Sequence, residues 1–291
     1  MAKSFDEIAQ NHPCFALGLK SNKGRIHLPV SPGCNIGCRF CKRDFNDEEN
    51  RPGVASSIIS PDDALDAVRR ALDLSPDLSV VGVAGPGDTL ATGYALETFR
   101  KVRDAFPKMI KCMSTNGLLL PDKADEIIDA QIDTLTVTVN AVDPDILEKI
   151  NEFIVYQGKK YEGREAAEIL IENQLKGIEK VSKAGITVKV NTVFIPEINR
   201  DHVPVVAKTV AEKEAAIYNI IPLIPQHQFA WCSAPSCKDL SWVRAECEKY
   251  IKVFRHCQRC RADAIGVPGG TDISKQVYIK PVRLADTFSH G

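Results

Sequence analysis

Thr134-Leu135-Thr136-Val137-Thr138-Val139-Asn140 alternates without a break between polar and apolar side chains. Successive residues of a β-strand point to opposite faces, so the threonines and Asn140 share one face while Leu135, Val137 and Val139 share the other. Two settings suit such a strand. It can lie in an antiparallel sheet wetted on one side, or in a barrel whose helices cover the apolar face and whose lumen takes the polar one. The flanking sequence favours the second. Further β-rich runs stand at Gly24–Val30, Leu78–Ala84, Met109–Ser114, Ile186–Ile195 and Ile217–Ile224, with longer helical segments between them. Among these are Asp62–Leu72, opened by Pro61, and Pro121–Ala130, with acidic residues in its early turns. Six βα units in series predict a parallel sheet in one barrel-like α/β domain with a polar lumen.

Composition agrees with a single large core. The 291 residues are 44% hydrophobic, and 37 basic against 38 acidic residues leave a formal net charge of -1. No global field favours nucleic acid or an anionic membrane. The N-terminal residues 1–7 have no apolar signal core, and no run approaches the roughly 18 apolar residues of a spanning helix, so a cytoplasmic location without membrane partners is expected. Ten cysteines are many for a reducing compartment, which makes metal or cluster ligation their leading use. The expected organisation is an N-terminal arm over 1–23, a barrel over 24–240, and a C-terminal helix and tail over 241–291. The polar segment Lys159–Arg164 is expected to be a mobile insertion over the barrel mouth.

The unusual residues fall after the predicted strands. Cys34-Asn35-Ile36-Gly37-Cys38-Arg39-Phe40-Cys41 follows the first, Gly85-Pro86-Gly87-Asp88 the second and Thr115-Asn116-Gly117 the third, while Asn140 closes the fourth. Active sites of parallel barrels lie at this end. Three thiolates spaced CxxxCxxC can bind three irons of a cubane cluster and leave the fourth iron open to chelate S-adenosylmethionine (SAM). A zinc site short of one ligand is the bland alternative. A second set comprises His12 and Cys14 in the arm and Cys257 and Cys260 in Cys257-Gln258-Arg259-Cys260. Folding arm and tail over the open face would gather these as soft ligands for further clusters. Cys112 shares strand parity with Ser114 and so faces the lumen; an ordinary buried thiol is the competing reading. Cys232 and Cys237 match no motif, and Cys247 reads as a core residue of a helix.

The CxxxCxΦC loop at the top of a first strand resembles the radical SAM superfamily. That resemblance implies a partial (βα)6 TIM-like barrel, a SAM-binding 4Fe-4S cluster on Cys34, Cys38 and Cys41, and Phe40 near the adenine. Gly85, Gly87 and Asp88 are similar to the superfamily's glycine-rich stretch that meets the methionine amino group, although Gly-Pro-Gly-Asp is also a plain turn. Ser114, Asn140 and Asn191 become SAM ribose or carboxylate contacts, or else merely satisfy backbone groups.

Over positions 12–266 the sequence further resembles the nitrogenase cofactor maturase family NifB, on His12-Pro13-Cys14, the cysteine loop, Glu49-Asn50-Arg51-Pro52-Gly53-Val54, Ser114-Thr115-Asn116-Gly117-Leu118, Asn140-Ala141-Val142-Asp143-Pro144 and Cys257–Gly266. Thr89 departs from the pattern, where proline is expected. The resemblance implies fusion of two auxiliary 4Fe-4S clusters, K1 and K2, around a SAM-derived carbide, with His12, Cys14, Cys112, Cys257 and Cys260 as their ligands. One SAM methylates a cluster sulfide and a second supplies the radical. Glu49 is then a labile ligand or proton acceptor and Arg51 an orienting cation, or both belong to a solvated turn. Implied partners are a cluster donor, an electron donor and a separate cofactor carrier, since the carrier-like C-terminal domain of some relatives is not expected here. A radical SAM enzyme for organic substrates, an iron–sulfur scaffold and a structural zinc protein are the other readings.

Overall fold

The computed structural model describes residues 3–17 and 22–279. Its centre is six strands in sequence order, each parallel to the next: β1 (Gly24–His27), β2 (Leu78–Val83), β3 (Ile110–Thr115), β4 (Thr134–Thr138), β5 (Thr187–Phe194) and β6 (Ile217–Pro222). All six predicted strands are present. Short end strands widen the sheet, Val253–Phe254 parallel to β6 and Ile265–Gly266 antiparallel to β1. These two lie at opposite edges of the sheet order, so the sheet curls without closing by hydrogen bonds.

Face alternation sets the layers. Leu135, Val137 and Val139 are fully buried in the main core with Ala124, Ile127, Ile178 and Val181 of the helix layer, whereas Thr136 and Thr138 line the lumen. Helix α1 (Pro61–Leu74) shows how a helix meets this sheet. Ser60 caps it by accepting from the Asp63 N–H, Pro61 opens it, and Ala64, Ala67, Val68 and Ala71 form one buried stripe. The predicted Pro121–Ala130 helix runs over Leu120–Asp129.

Three expectations are corrected. Lys159–Glu162 is not a loop over the mouth but the outer strand of a small antiparallel sheet, paired with Asn151–Tyr156, which pairs in turn with Ile36–Cys38. Gln157 and Gly158 both take positive φ (51° and 76°), the conformation of a two-residue hairpin turn. The boundary placed at 240/241 falls inside a helix, α2 (Cys237–Cys247), whose Val243 and Cys247 are buried in the main core, so this helix is part of the barrel layer.

The third correction concerns the arm. Its helix, Phe5–Asn11, does not cover the open face. Lys3 pairs with Asp133 at 2.5 Å, Ser79 Oγ donates to the Asn11 carbonyl at 2.6 Å, and Lys252 lies over the Phe5 ring. Asp133, Ser79 and Lys252 stand at strand beginnings, so the arm seals the amino end of the barrel. Ile8 and Phe15 drive this by packing against Val80, Ile110, Ile217 and Phe254. The tail bridges the seam between the two sheet edges, carrying Cys257 and Cys260 across it. The layering predicts that Leu135→Ala, which opens a hole under the helices, costs about 2–5 kcal/mol in denaturant unfolding. Thr136→Ala, facing the lumen, should cost well under half as much.

Candidate active site

The three-cysteine loop leaves β1 at its carboxyl end and is held from two sides. On one side the Gly87 N–H donates to the Ser31 carbonyl at 2.7 Å and the Asp88 N–H to the Gly33 carbonyl at 2.8 Å. This approach is so close that a Cβ on Gly87 would lie 1.9 Å from the Gly33 oxygen. Asp88 braces the next loop, accepting from the Thr115 hydroxyl at 3.0 Å and the Asn116 N–H at 2.5 Å, and Asn116 Nδ2 donates to Asn35 Oδ1 at 2.7 Å. Burial raises the Asp88 carboxyl, against the pull of these donors. On the other side the Val155 N–H donates to the Asn35 carbonyl, and Cys38 pairs in register with Asn151. The Thr89 hydroxyl donates to the Ser114 carbonyl at 2.6 Å, tying the glycine-rich loop to β3.

Burial pushes the Cys34 thiol up to about 11 and the Cys41 thiol up; Cys38 is driven well above its usual range by burial and by its neighbours Cys41 and Cys34. The metal-free thiols are therefore neutral, and taking up a metal centre releases their protons. Among the described residues no three His, Cys, Asp or Glu side chains gather tightly enough for a single metal ion. A cubane, by contrast, takes each thiolate on a separate iron. Three mutually interacting thiols on one rigid loop fit such a cluster.

Below the loop lies a cavity of about 330 Å³, within the size range of small-ligand sites. Phe40, Cys41 and Pro86 stand at its upper end. Ser114, Thr138 and Asn191 give the lining polar groups, and Val193, Ile221, Leu223 and Ile224 give it apolar ones. His12, Cys14, Cys112, Lys189, Cys257 and Cys260 also line it, so every thiol predicted as an auxiliary ligand opens into the space reached by Cys41. Cys14 is pushed up to about 11 and Cys112 is raised, in both cases chiefly by burial.

Several residues expected at the site stand beside this cavity and not in its lining. Asn140 does not line the cavity: its Oδ1 accepts from the Val193 N–H at 2.9 Å and its carbonyl from Asn199 Nδ2 at 3.1 Å, so it joins two loops. Of the glycine-rich loop Pro86 lines the cavity, whereas Gly87 is pressed against the Gly33 carbonyl and Asp88 against the loop after β3. Glu49 and Arg51 also stand outside. Arg51 holds Glu49 through two hydrogen bonds, 3.1 and 2.8 Å, and Asn46 adds a third. Arg51 foremost, then Asn46, pull the Glu49 carboxyl down to about 2, which makes it a poor proton acceptor near neutrality. Arg261 donates to the Glu49 and Asn46 carbonyls at 2.7 and 2.8 Å, so this loop clasps the CxxC tail.

Among the lining residues that the sequence reading passed over, two basic ones stand on the central strands. His27 ends β1 with Nδ1 3.0 Å from the Arg261 carbonyl. A carbonyl only accepts, so Nδ1 carries the proton and Nε2 keeps its lone pair, the usual arrangement of a metal-ligating imidazole. Burial, helped by Arg25, lowers His27 to about 4, so the ring is neutral. His12 has the opposite pattern: its Nδ1 accepts from the Cys14 N–H at 3.1 Å, which puts the proton of the neutral ring on Nε2. Strand parity could have found His27, because Ile26 and Leu28 beside it are core residues. Lys189 is the other, and the same parity places it with Asn191.

A curled parallel sheet with a three-thiol loop at its carboxyl end defines the radical SAM class. The family model "Radical SAM superfamily" matches residues 28–210. Streptococcus suis SuiB bound to S-adenosylmethionine shares the fold with a TM-score of 0.57 at 12% identity, over 79% of this chain and 49% of that one. Native anSMEcpe with bound AdoMet does so with a TM-score of 0.51 at 17% identity, over 79% and 63%. Within the superfamily, this chain belongs to the NifB family. It is 45% identical to the FeMo cofactor biosynthesis protein NifB of Methanocaldococcus infernus over 94% of this chain and 91% of that protein. With its namesake from Methanocaldococcus jannaschii it shares 47% over 98% and 95%. The Chlorobaculum tepidum relative is 43% identical over 89% of this chain, which spans 62% of that longer protein. No helix among the described residues is long and apolar enough to cross a membrane.

The contact at Gly87 predicts that Gly87→Ala separates the two loops. It should lower the melting temperature, by about 1–3 kcal/mol of stability, and reduce the iron retained after anaerobic reconstitution. Gly93→Ala, where a Cβ meets nothing within 4 Å, is the control.

Proposed function

We propose that this protein fuses two 4Fe-4S clusters, with insertion of a SAM-derived carbide, into the eight-iron precursor of the nitrogenase cofactor. The observation that carries this reading is the shared cavity: Cys41 of the radical-cluster loop and the ligand set Cys14, Cys112, Cys257 and Cys260 open into the same space. A radical formed at the upper end then has sulfur-bound iron as its neighbour, not an organic substrate.

Cys34, Cys38 and Cys41 hold the resident cluster. When bound, it supplies the electron that cleaves SAM to methionine and a 5′-deoxyadenosyl radical. Ser114, Thr138 and Asn191 offer hydroxyl and amide partners for SAM along the wall between the two ends, and Val193, Ile221 and Leu223 keep water from that path. Gln226 Nε2 donates to the Phe40 carbonyl at 3.1 Å and so fixes the backbone under the Phe40 ring, which would stand beside the adenine of bound SAM. The two substrate clusters lie lower, on Cys14, Cys112, Cys257, Cys260 and an imidazole. His12, whose buried Nε2 has no hydrogen-bond partner among the described residues, and His27 both open into this space as sources of that imidazole. Four thiols and an imidazole are few for two clusters, and sparse ligation suits a product that must leave. Glu49 and Arg51 act by holding the 46–53 loop against the tail. A cluster donor, an electron donor and a cofactor carrier are separate proteins in this scheme.

Anaerobically loaded protein given SAM with a labelled methyl group should form an eight-iron species that carries the label and matures cofactor-free nitrogenase. Label found only in an added organic molecule would overturn the reading. Cys34→Ala should abolish 5′-deoxyadenosine formation, whereas Cys112→Ala should retain it and lose the eight-iron product. Nitrogen coupling in pulsed paramagnetic resonance of the auxiliary clusters should vanish in His12→Asn or in His27→Asn, which identifies the imidazole, and its persistence in both would overturn imidazole ligation.

A further inference from the structure

Lys189 lies at the third position of β5, between Thr136 on β4 and Ile217 on β6, two residues below Asn191. It is 6% exposed and lines the cavity. Its ammonium donates to the Cys14 carbonyl at 3.3 Å and lies 4.9 Å from the Phe15 ring centroid and 5.4 Å from that of Phe254. Among the described residues no carboxylate lies within 4.0 Å of it. Asp133, which acts on Cys112 electrostatically, is taken by Lys3 at 2.5 Å and Lys111 at 3.2 Å. A carbonyl and two ring faces replace only part of the water that an ammonium loses on burial, so the metal-free protein holds a cation without its anion. The same charge acts on His12, Cys14 and Cys112.

We propose that Lys189 is the positioning residue for the auxiliary cluster substrate, its ammonium supplying the counter-charge and an N–H···S hydrogen bond to the sulfide core beside Cys14 and Cys112. The inference rests on the cluster-fusing function and deepens it by assigning how that substrate is selected. An iron–sulfur core carrying inorganic sulfides and thiolates is an anion, and its fit beside Lys189 improves with each negative charge. A neutral organic molecule in the same space would leave the ammonium unpaired. Few thiol ligands then suffice, because a fixed cation shares the holding of the cluster, and the product can leave without every iron–thiolate bond being a strong one.

The test compares wild type, Lys189→Met and Lys189→Arg, each metal-free and after anaerobic reconstitution with iron and sulfide. Metal-free Lys189→Met should melt at a higher temperature than wild type, because an unpaired buried charge is replaced by an apolar chain of similar length. Reconstituted Lys189→Met should lose its auxiliary iron to a chelator about tenfold faster, the scale of one charge-assisted hydrogen bond, and its auxiliary clusters should reduce at a more negative potential. Lys189→Arg should keep wild-type retention. These opposite signs do not arise from a merely structural lysine, whose loss lowers the metal-free melting temperature and leaves the potential unmoved; that pattern overturns the assignment. Unchanged retention and potential in Lys189→Met overturn it as well. A wild type that takes up no iron beyond one four-iron cluster would remove the cluster-fusing function itself, and this inference with it.

Discussion

The backbone contact between the Gly87 loop and Ser31–Gly33 is the constraint on which the upper half of the site depends. Thiolate ligands hold a cluster in a defined place only if the loop that carries them is rigid, and a loop of eight residues, counting the first and last cysteine, has no rigidity of its own. Here it is borrowed from neighbours. Two backbone hydrogen bonds at 2.7 and 2.8 Å fasten it to the loop after β2. That loop is fastened by Asp88 to the start of the loop after β3, and the strand Ile36–Cys38 is fastened to a hairpin on the other side. Only a residue without a Cβ can stand at the crossing.

The lower half depends on a sheet that curls without closing. A closed barrel would need its inward residues for packing, whereas the seam left here is bridged by a tail that brings Cys257 and Cys260 to the lumen. The arm enters at the amino end and contributes His12 and Cys14. Arg261 joins this tail to the 46–56 loop, and its carbonyl sets the tautomer of His27 on β1. One segment thus supplies two thiols and orients an imidazole on a different strand.

Much of this was legible along the chain. The alternation at 134–140 led correctly to the lumen and helix faces, the six strand runs to the barrel, and the CxxxCxΦC spacing to the radical SAM class. The residues expected as auxiliary ligands, His12, Cys14, Cys112, Cys257 and Cys260, all line the cavity. What the chain does not show has a common cause. Asn140, Asp88 and Glu49 are polar residues beside the site whose partners are backbone groups, the Thr115 hydroxyl, Arg51 and Asn46, and partnership across 53, 28 or even 2 positions is a matter of distance in space. His27 and Lys189 form no spaced motif, and strand parity alone, which puts them on the lumen face, does not say what they meet there.

Local chemistry is encoded along the chain because it depends on covalent neighbours: which faces alternate, which residues cap or break helices, and how far apart three thiols sit on one loop. The direction in which the arm closes the barrel is different. It depends on which apolar surface remains uncovered once the sheet has curled, and that surface exists only in the folded state. The proton positions on His12 and His27 and the isolation of the Lys189 ammonium belong to the same category. Each is set by a carbonyl, an amide or a missing carboxylate brought near by folding, and no residue type carries that information before the chain has folded.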